Sequence, residues 1–524
     1  MEKNYSDVYR ENIYYDQRLR LMVDIGKMGY KEEDFHSLEE KIRQAYKENE
    51  DLEGGALANP DEERMVGHYW LRNPQLAPGQ EIRTAIEQTL VKIKDFVYQI
   101  HRGEICGQQG LFQNVLVIGI GGSSLGSRFL SQALRTDRDR MRLFFINNTD
   151  PDGIDQVMAP LQHELGQTLV LVISKSGGTT ETRNGMEEVR HLYGGQELDF
   201  ARHAVAVTLD HSSLAQLSQQ EGWLEVFPMW DWIGGRTSVL SAVGLLPLAL
   251  QGIDVDLLLQ GARECDLVTR RQDTRHNPAA LLAMTWYLFT QGHGGKSIII
   301  LPYKDRLELF SQYFQQLVME SLGKAFDRAD ELVNQGIAVW GNKGATDQHS
   351  YLQQLLEGPN DFFVTFIEVL MDRKTASPLI GKYTSSGDYL HAFLYGTRDA
   401  LNKQGRKSLV ITLDNLDEYT LGVLVALCER TVGFYASLIN VNAYHQPAVE
   451  LGKESAARLI DMQQQIIIFL TQAQGKKYTV EELAEAIGAE EEIMFSLLRH
   501  LGANSRGGVK TDVQEDLFRN QYWI

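Results

Sequence analysis

Two glycine- and serine-rich segments, each of which follows an apolar run, contain the first residue types in this chain that could do chemistry. Residues 115–128 read VLVIGIGGSSLGSR, and residues 172–185 read VISKSGGTTETRNG. Consecutive glycines let a backbone approach an anion closely, and the start of a helix supplies unpaired N–H groups at the positive end of its dipole. Both segments therefore indicate a site for a phosphate group.

The first segment fits neither common nucleotide-binding template. The dinucleotide pattern G-x-G-x-x-G, begun at Gly119, meets Ser124 where its third glycine belongs. The pattern G-x-x-x-x-G-K-[ST], begun at Gly121, meets Ser127 and Arg128 where it needs lysine and a metal-binding hydroxyl. For this segment alone, a tight strand-to-helix turn of any α/β protein stays open as the alternative.

The second segment is richer in groups that bind phosphate. It brings Ser174, Lys175, Ser176, Thr179 and Thr180 to the end of a predicted strand and the start of a predicted helix. Hydroxyls, an ammonium group and free N–H groups suit a phosphate monoester. The alternative is a Ser/Thr-rich turn that only caps the helix, but the presence of Lys175 in the segment makes this alternative less favoured. Together the two segments favour a phosphorylated small molecule as the ligand.

Two later segments contain candidate charged groups. In DWIGGRTSVLSAVG, Arg236 follows Gly234 and Gly235 and presents a planar cation, either to a ligand or to backbone carbonyls as a structural clamp. In RLELFSQYFQQLVMESLGKAF, Gln316 and Glu320 lie one helical turn apart on the flank of an apolar stripe. Glu320 is a candidate general base, although most such glutamates are solvated residues on a helix surface.

Three more polar residues carry little weight singly. His349 lies near the start of a predicted helix in WGNKGATDQHSYLQQLLEG, and Gln446 and Lys453 lie in YHQPAVELGKESAARL. A lone histidine is more often structural, and a lone lysine is usually solvated. These three residues need the support of a larger pattern.

Composition and charge narrow the class of protein. The chain has 524 residues, of which 43% are hydrophobic and 23% charged, as is typical of a soluble globular protein. Its net charge of -19 argues against non-specific nucleic-acid binding. Cys106, Cys265 and Cys428 follow no zinc or redox spacing, and the most apolar stretch is interrupted by Pro247 and Asp254. We therefore expect a cytoplasmic protein with no membrane segment and no metal.

The order of the predicted elements indicates an α/β fold. Residues 1–110 are predicted to be mostly helical, and strands are predicted at 115, 142, 169 and 204, each followed by a helix. The same alternation resumes with strands at 297, 337, 362 and 408, so we expect two mostly parallel sheets flanked by helices. The predicted parts are 1–110, 111–265, 275–460 and 461–524. The last has a helix-turn-helix spacing, but its excess of acidic residues favours a packing or interface module.

Taken together, the motifs resemble those of the phosphoglucose isomerase family. GIGGSSLG, SKSGGTTET, GGRTS, MESLGK, DQH and ELGK occur in the order found in that family, over roughly residues 60–460. The resemblance implies two sugar isomerase (SIS) domains with helical extensions at both ends. It also implies interconversion of glucose 6-phosphate and fructose 6-phosphate through a cis-enediol, without a cofactor, in a homodimer whose active sites lie at the subunit interface.

The resemblance also implies roles for individual residues. Glu320 matches the proton-transfer base and Arg236 the cation that stabilises the enediolate, while His349, reaching across from the partner subunit, and Lys453 would open and close the sugar ring. The remaining matches would bind substrate: Ser174, Lys175, Ser176 and Thr179 at the phosphate, and Gly122, Ser123, Glu181, Gln316 and Gln446 elsewhere in the site.

Two departures from the family pattern keep alternatives open. Thr237 follows Arg236 where the family usually has an aromatic residue, and Ser176 is followed by Gly177 and Gly178 where the family usually has SKT-x-TT. Phosphate binding should survive both changes. The alternatives are a dual phosphoglucose/phosphomannose isomerase and a sugar-phosphate-binding protein that does not catalyse a reaction.

Overall fold

The structure is a computed structural model that describes residues 9–524, without the side chains of residues 448–451, 453 and 454. The chain divides into a first unit that ends at His445 and a second unit, Gln446–Ile524. The four predicted parts have other boundaries, and these stay predictions. A continuous helix, Ala448–Gln472, runs across the boundary predicted at 460.

The first unit contains the strands of two large sheets and of a separate two-stranded antiparallel sheet. They are β1 (Ile13–Asp16), β2 (Leu21–Asp24), β3 (Asn114–Ile118), β4 (Arg142–Ile146), β5 (Thr168–Ile173), β6 (Ala204–Thr208), β7 (Glu225–Pro228), β8 (Lys296–Pro302), β9 (Lys324–Phe326), β10 (Leu332–Gln335), β11 (Ile337–Trp340), β12 (Phe362–Val369) and β13 (Lys407–Leu413). The two-stranded sheet is formed by β9 and β10.

The α-helices of the first unit are interspersed among these strands. They are α1 (Glu32–His36), α2 (Glu39–Glu53), α3 (Gln80–Arg102), α4 (Leu125–Leu134), α5 (Pro151–Met158), α6 (Thr180–Gly195), α7 (Ser213–Glu221), α8 (Ala242–Gln251), α9 (Val255–Thr269), α10 (Pro278–Thr290), α11 (Phe310–Leu322), α12 (Gln348–Glu357), α13 (Ser386–Lys403) and α14 (Glu418–Leu438).

The first sheet is parallel and has helices on both faces. Its strand order is β4-β3-β5-β6-β7. Side chains alternate between two cores: Val115 and Val117 pack with Phe129 of α4, whereas Leu116 and Ile118 pack on the opposite face with residues of α6. The loops after β3 and β5, which hold the two glycine-rich segments, therefore meet at one edge of the sheet.

The second sheet confirms the predicted α/β class but adds a feature that the sequence analysis missed. Its order is β1-β2-β13-β12-β8-β11, and the four predicted strands are the parallel ones. The region predicted to be mostly helical supplies β1 and β2, a hairpin that pairs antiparallel with β13. This hairpin covers an edge of the sheet through long-range pairing, which no local pattern reveals.

The long apolar helix α14 belongs to the protein core. By length and composition alone it could cross a membrane, but 94% of its most apolar window is buried inside the protein. It packs against α9, α10 and α2. The apolar stretch interrupted by Pro247 and Asp254 spans the buried helix α8 and the start of α9.

A buried ionic cluster joins α2, α9 and α14. Asp266 accepts hydrogen bonds from Nε and Nη2 of Arg72 at 2.6 and 2.9 Å and from Arg430 at 3.2 Å. Arg72 also pairs with Glu429, and Arg430 pairs with Glu53. Burial alone would raise the pKa of Asp266, but the two guanidinium groups lower it to about 2.

The second unit is a small helical module with its own core. Its elements are α15 (Ala448–Gln472), α16 (Val480–Ile487), α17 (Glu491–Ala503), β14 (Lys510–Asp512) and β15 (Gln521–Trp523). The last two strands pair antiparallel. Ile466, Leu483, Met494, Leu498 and Tyr522 are buried in one cluster. The helix-turn-helix spacing thus corresponds to α16 and α17.

The ionic cluster yields a prediction about stability. Replacing Asp266 with Asn leaves the guanidinium groups of Arg72 and Arg430 buried without their shared counter-charge, which should lower the free energy of unfolding by about 3–5 kcal/mol. The control is Asp256→Asn, because Asp256 forms an exposed pair with Lys94 at 2.7 Å and its loss should change stability by less than about 1 kcal/mol. Urea denaturation followed by tryptophan fluorescence measures both, and equal stabilities would contradict the prediction.

Candidate active site

The loop after β5 presents hydroxyl and N–H groups at the start of α6. The hydroxyl of the buried Ser174 donates to Thr179 Oγ1 at 3.1 Å and accepts from the N–H of Gly177 at 3.1 Å, while Ser176 Oγ accepts from Gly178 at 3.2 Å. Thr179 is extended and immediately precedes α6, and Glu181 lies in the first turn. The first N–H groups of a helix have no acceptor within it, so this end of α6 can bind an anion.

Lys175 ties this loop to the segment that leads to Arg236. Its ammonium group donates to the carbonyl oxygens of Asp231 at 2.9 Å and Ile233 at 2.8 Å. Burial, assisted by the nearby Arg64, lowers the pKa of Lys175 to about 8. The lysine is thus a cation that a bound phosphate dianion would stabilise in its charged form.

The loop after β3 packs directly against the turn that carries Arg236. A Cβ atom added to Gly122 would lie 2.2 Å from the carbonyl carbon and oxygen of Gly235, so only glycine fits there. Ser238 Oγ donates to the Gly122 carbonyl at 3.1 Å. Gly122 and the adjacent Ser123 are partly exposed beside this contact. The close approach fixes the position of the turn.

Arg236 is a buried cation held by several segments of the first unit. It is 5% exposed, and it donates to the carbonyls of Ala443 at 2.8 Å and His445 at 3.3 Å and to Ser321 Oγ at 3.4 Å. Its Nη2 lies 3.1 Å from Glu320 Oε1. Burial lowers the pKa of Arg236, and the Glu320 carboxylate opposes that shift. Arg236 therefore clamps backbone carbonyls and also pairs with Glu320, while its predicted contact with a ligand stays a prediction.

Glu320 projects from α11 with both of its carboxylate oxygens engaged. Oε1 pairs with Arg236, and Oε2 accepts from Gln316 Nε2 at 2.8 Å. The predicted apolar stripe of α11 is buried, which orients the helix so that Glu320 and Gln316 line a cavity of about 840 Å³ with Trp340 and Asn342. A cavity of this size accommodates a sugar phosphate.

Of the other three predicted residues, only His349 belongs to the first unit, and it lines a cavity other than that of Glu320. His349 is exposed at the start of α12 and lines a separate cavity of about 600 Å³. Gln446 is exposed and begins the second unit. Lys453 lies in α15, but its side chain lies outside the described residues. The roles of these three residues stay predictions.

The sequence analysis missed Lys324. Its ammonium group donates to the carbonyl oxygen of Glu320 at 2.8 Å and to that of His445 at 3.2 Å. The only sequence signal was its position four residues after Glu320, inside the segment MESLGK. The sequence could not show that it shares the His445 carbonyl with Arg236.

Comparison with known proteins identifies the family. Residues 29–469 match the family model of phosphoglucose isomerase. The chain belongs to the phosphoglucose isomerase family. Curated glucose-6-phosphate isomerases of Desulfitobacterium hafniense strain Y51 and Geotalea daltonii are 57% and 52% identical over 98% of this chain, and the matches cover 97% and 98% of those proteins. The predicted family and enzyme class are therefore confirmed.

A solved structure supports the same conclusion. The crystal structure of a glucose-6-phosphate isomerase from Chlamydia trachomatis superposes with a TM-score of 0.79 at 28% identity, covering 87% of this chain and 91% of that one. The predicted phosphoglucose isomerase fold, with mostly parallel sheets between helices, is thus confirmed. Among the residues that the structure describes, no group of three or more His, Cys, Asp or Glu side chains could hold a metal ion.

The close contact between Gly122 and Gly235 predicts that a methyl group added at residue 122 causes a large loss of phosphoglucose isomerase activity. In Gly122→Ala the added Cβ pushes the loop away from Gly235 and shifts the turn that carries Arg236, so kcat/KM should fall by about 100-fold. Gly194→Ala is the control, because an added Cβ meets nothing within 4 Å at that position in α6. An isomerase assay of both variants checks this prediction, and wild-type activity in Gly122→Ala would contradict it.

Proposed function

We propose that this protein interconverts glucose 6-phosphate and fructose 6-phosphate and that Glu320 and Arg236 carry out the proton transfer. The family membership and the 51–57% identity to curated glucose-6-phosphate isomerases confirm the predicted isomerase activity. The single observation that supports the assignment of these two residues is their contact at 3.1 Å beside a cavity of about 840 Å³.

The chemistry requires one base and one fixed cation. Glu320 takes the proton from C2 of the open-chain aldose, the C2–H electron pair forms the C1–C2 double bond, and the carbonyl oxygen becomes an enediolate oxygen. Arg236 stabilises that negative charge. The carboxylic acid then returns the proton to C1, and a hydroxyl proton moves from O2 to O1. A ketose results, and neither metal nor redox cofactor is required.

The rigidity of Arg236 supports its role. Two backbone carbonyls and a serine hydroxyl fix the guanidinium group, so it does not reorganise when charge develops on the substrate. Gln316, which donates to Glu320, would orient the carboxylate and contact the sugar. In the first sheet, the open start of α6 would hold the phosphate with Ser174, Lys175, Ser176 and Thr179, beside Gly122, Ser123 and Glu181 at the sugar.

We also propose a homodimer in which His349 of the partner subunit completes each site. His349 is exposed and lines a cavity separate from that of Glu320. Several exposed apolar side chains that a second copy could cover follow it later in the chain: Leu370, Met371, Leu379, Ile380, Tyr383, Tyr389 and Phe393. His349 would open and close the ring with Lys453, and Gln446 would bind substrate, as the family pattern implies.

We propose a cytoplasmic location. Cys106, Cys265 and Cys428 are free thiols, and the latter two are buried. Free cysteines are usual in a reducing compartment. The substrate, a hexose 6-phosphate, is a small intracellular anion for which local cations must overcome the net charge of -19.

The proposed base is tested by Glu320→Gln. The amide cannot take up the C2 proton, so kcat should fall by at least about 1000-fold, while a hexitol 6-phosphate should bind with nearly wild-type affinity. The control is Glu264→Gln, because Glu264 also faces an arginine, Arg18, and its side chain is 22% exposed compared with 17% for Glu320. A coupled assay for fructose 6-phosphate and calorimetry provide the two measurements.

The same assay on the wild-type protein tests the reaction itself. We expect fructose 6-phosphate from glucose 6-phosphate at a rate that EDTA does not change. Absence of product would leave only a sugar-phosphate-binding protein, and inhibition by EDTA would contradict the metal-free mechanism. Turnover of mannose 6-phosphate at a comparable rate would favour the dual-specificity alternative raised by Thr237.

Mixed dimers test which subunit supplies His349 to each active site. Glu320→Gln and His349→Ala homodimers should each be inactive, but after subunit exchange one of the two sites in each mixed dimer has both wild-type residues. A random mixture should therefore recover roughly one quarter of the wild-type activity. If His349 acted within its own chain, both sites would stay defective, and the absence of recovery after verified exchange would contradict the proposal.

A further inference from the structure

Lys324 is buried next to Glu320, the proposed base, and Arg236, the proposed stabilising cation. The residue is 7% exposed, and its ammonium group donates to the Glu320 carbonyl at 2.8 Å and to the His445 carbonyl at 3.2 Å. The His445 carbonyl also accepts from Arg236 Nη2 at 3.3 Å. One ammonium group thus connects the last turn of α11, which carries Glu320, to the segment that holds Arg236.

We propose that Lys324 is a positioning residue for the isomerisation, whose ammonium group fixes the distance between the Glu320 carboxylate and the Arg236 guanidinium. This inference rests on the proposed function, because it concerns the same pair of groups. Lys324 acts through the backbone of Glu320 and His445 and does not itself contact the reacting atoms.

The geometry assigns Lys324 two physical effects. Its ammonium group donates a hydrogen bond to a carbonyl at the C-terminal end of α11, where the helix dipole is negative and a cation is favourable. It also places a second positive charge beside Arg236, which strengthens the field at the position where the enediolate forms. A hydrophobic residue of equal length would leave the Glu320 carbonyl without this donor and would allow the 443–445 segment to move.

The charges around Lys324 determine its response to pH. Arg236 faces it from the turn after β7, Glu320 from α11, Asp61 from the loop before α3, and the His445 imidazole from the segment after α14. Burial, followed by the repulsion from Arg236, lowers the pKa of Lys324 to about 8. As the pH rises through this value the ammonium group loses its charge, so the turnover rate should decline on the alkaline side.

The titration of Lys324 can be separated from that of Lys175, whose pKa is also about 8. Lys175 belongs to the proposed phosphate site, so loss of its charge should raise KM. Lys324 supports the chemical step, so loss of its charge should lower kcat at saturating substrate. The two lysines therefore affect different kinetic parameters.

The test compares Lys324→Met with Lys324→Arg. Methionine retains most of the aliphatic stem but removes the charge and the donors, so kcat should fall by about 100-fold while KM stays within about threefold of wild type. Arginine keeps its charge at every accessible pH, so kcat of Lys324→Arg should not decline between pH 7 and 10, unlike that of the wild type. The control is Lys407→Met, because Lys407 also bonds a carbonyl, that of Met28, with no contact to this site.

Each outcome is decisive. Wild-type kcat in Lys324→Met, or a wild-type alkaline decline in Lys324→Arg, would overturn the inference. If neither variant folds, the wild-type profile decides alone, since a kcat that stays constant from pH 7 to 10 is incompatible with it. Inactive wild-type protein would contradict the proposed function instead, so the two failures are distinguishable.

Discussion

The structure around the active site depends on one buried positive charge, the guanidinium group of Arg236. A charge removed from water is stable only when its hydrogen bonds are satisfied and a counter-charge is near. Ala443 and His445 supply carbonyls, Ser321 supplies a hydroxyl, and Glu320 supplies the negative charge. Segments more than 200 residues apart are thereby held together, so the same contacts that join parts of the first unit also orient the Glu320 carboxylate.

The glycine-rich loops serve this arrangement by allowing backbones to approach closely. The contact between Gly122 and Gly235 leaves no room for a Cβ atom on Gly122. It therefore fixes the position of the turn that carries Arg236 relative to the first sheet. The start of α6, one strand away, stays free for an anion because the hydroxyl of Ser174 bonds within its own loop. The two loops at this end of the sheet thus have different proposed roles: the loop after β3 positions the Arg236 turn, and the loop after β5 is suited to hold a phosphate.

Most of the fold could be predicted from the sequence because the strands of buried parallel sheets are continuous apolar runs. TLVLVI of β5 is buried at every position, and so is β12. The hairpin of β1 and β2 was not predictable, since its short strands form by pairing with β13 nearly 400 residues later. Similarly, the spacing of Gln316 and Glu320 indicated a shared helix surface, whereas the contacts of Arg236 and Lys324 with the His445 carbonyl depend on a loop that no local pattern connects to them.

The balance of charge in the site explains how an acidic protein can attract a doubly charged substrate. Lys175 and Lys324 are buried enough to lower their pKa values to about 8, so each is mostly charged at neutral pH and loses its charge under mildly alkaline conditions. Glu320 offsets part of the positive charge while the site holds no phosphate. A phosphate dianion at the start of α6 adds negative charge next to Lys175, which raises the pKa of that lysine again. Binding of a phosphate at the start of α6 would therefore be coupled to protonation of Lys175, most strongly at mildly alkaline pH.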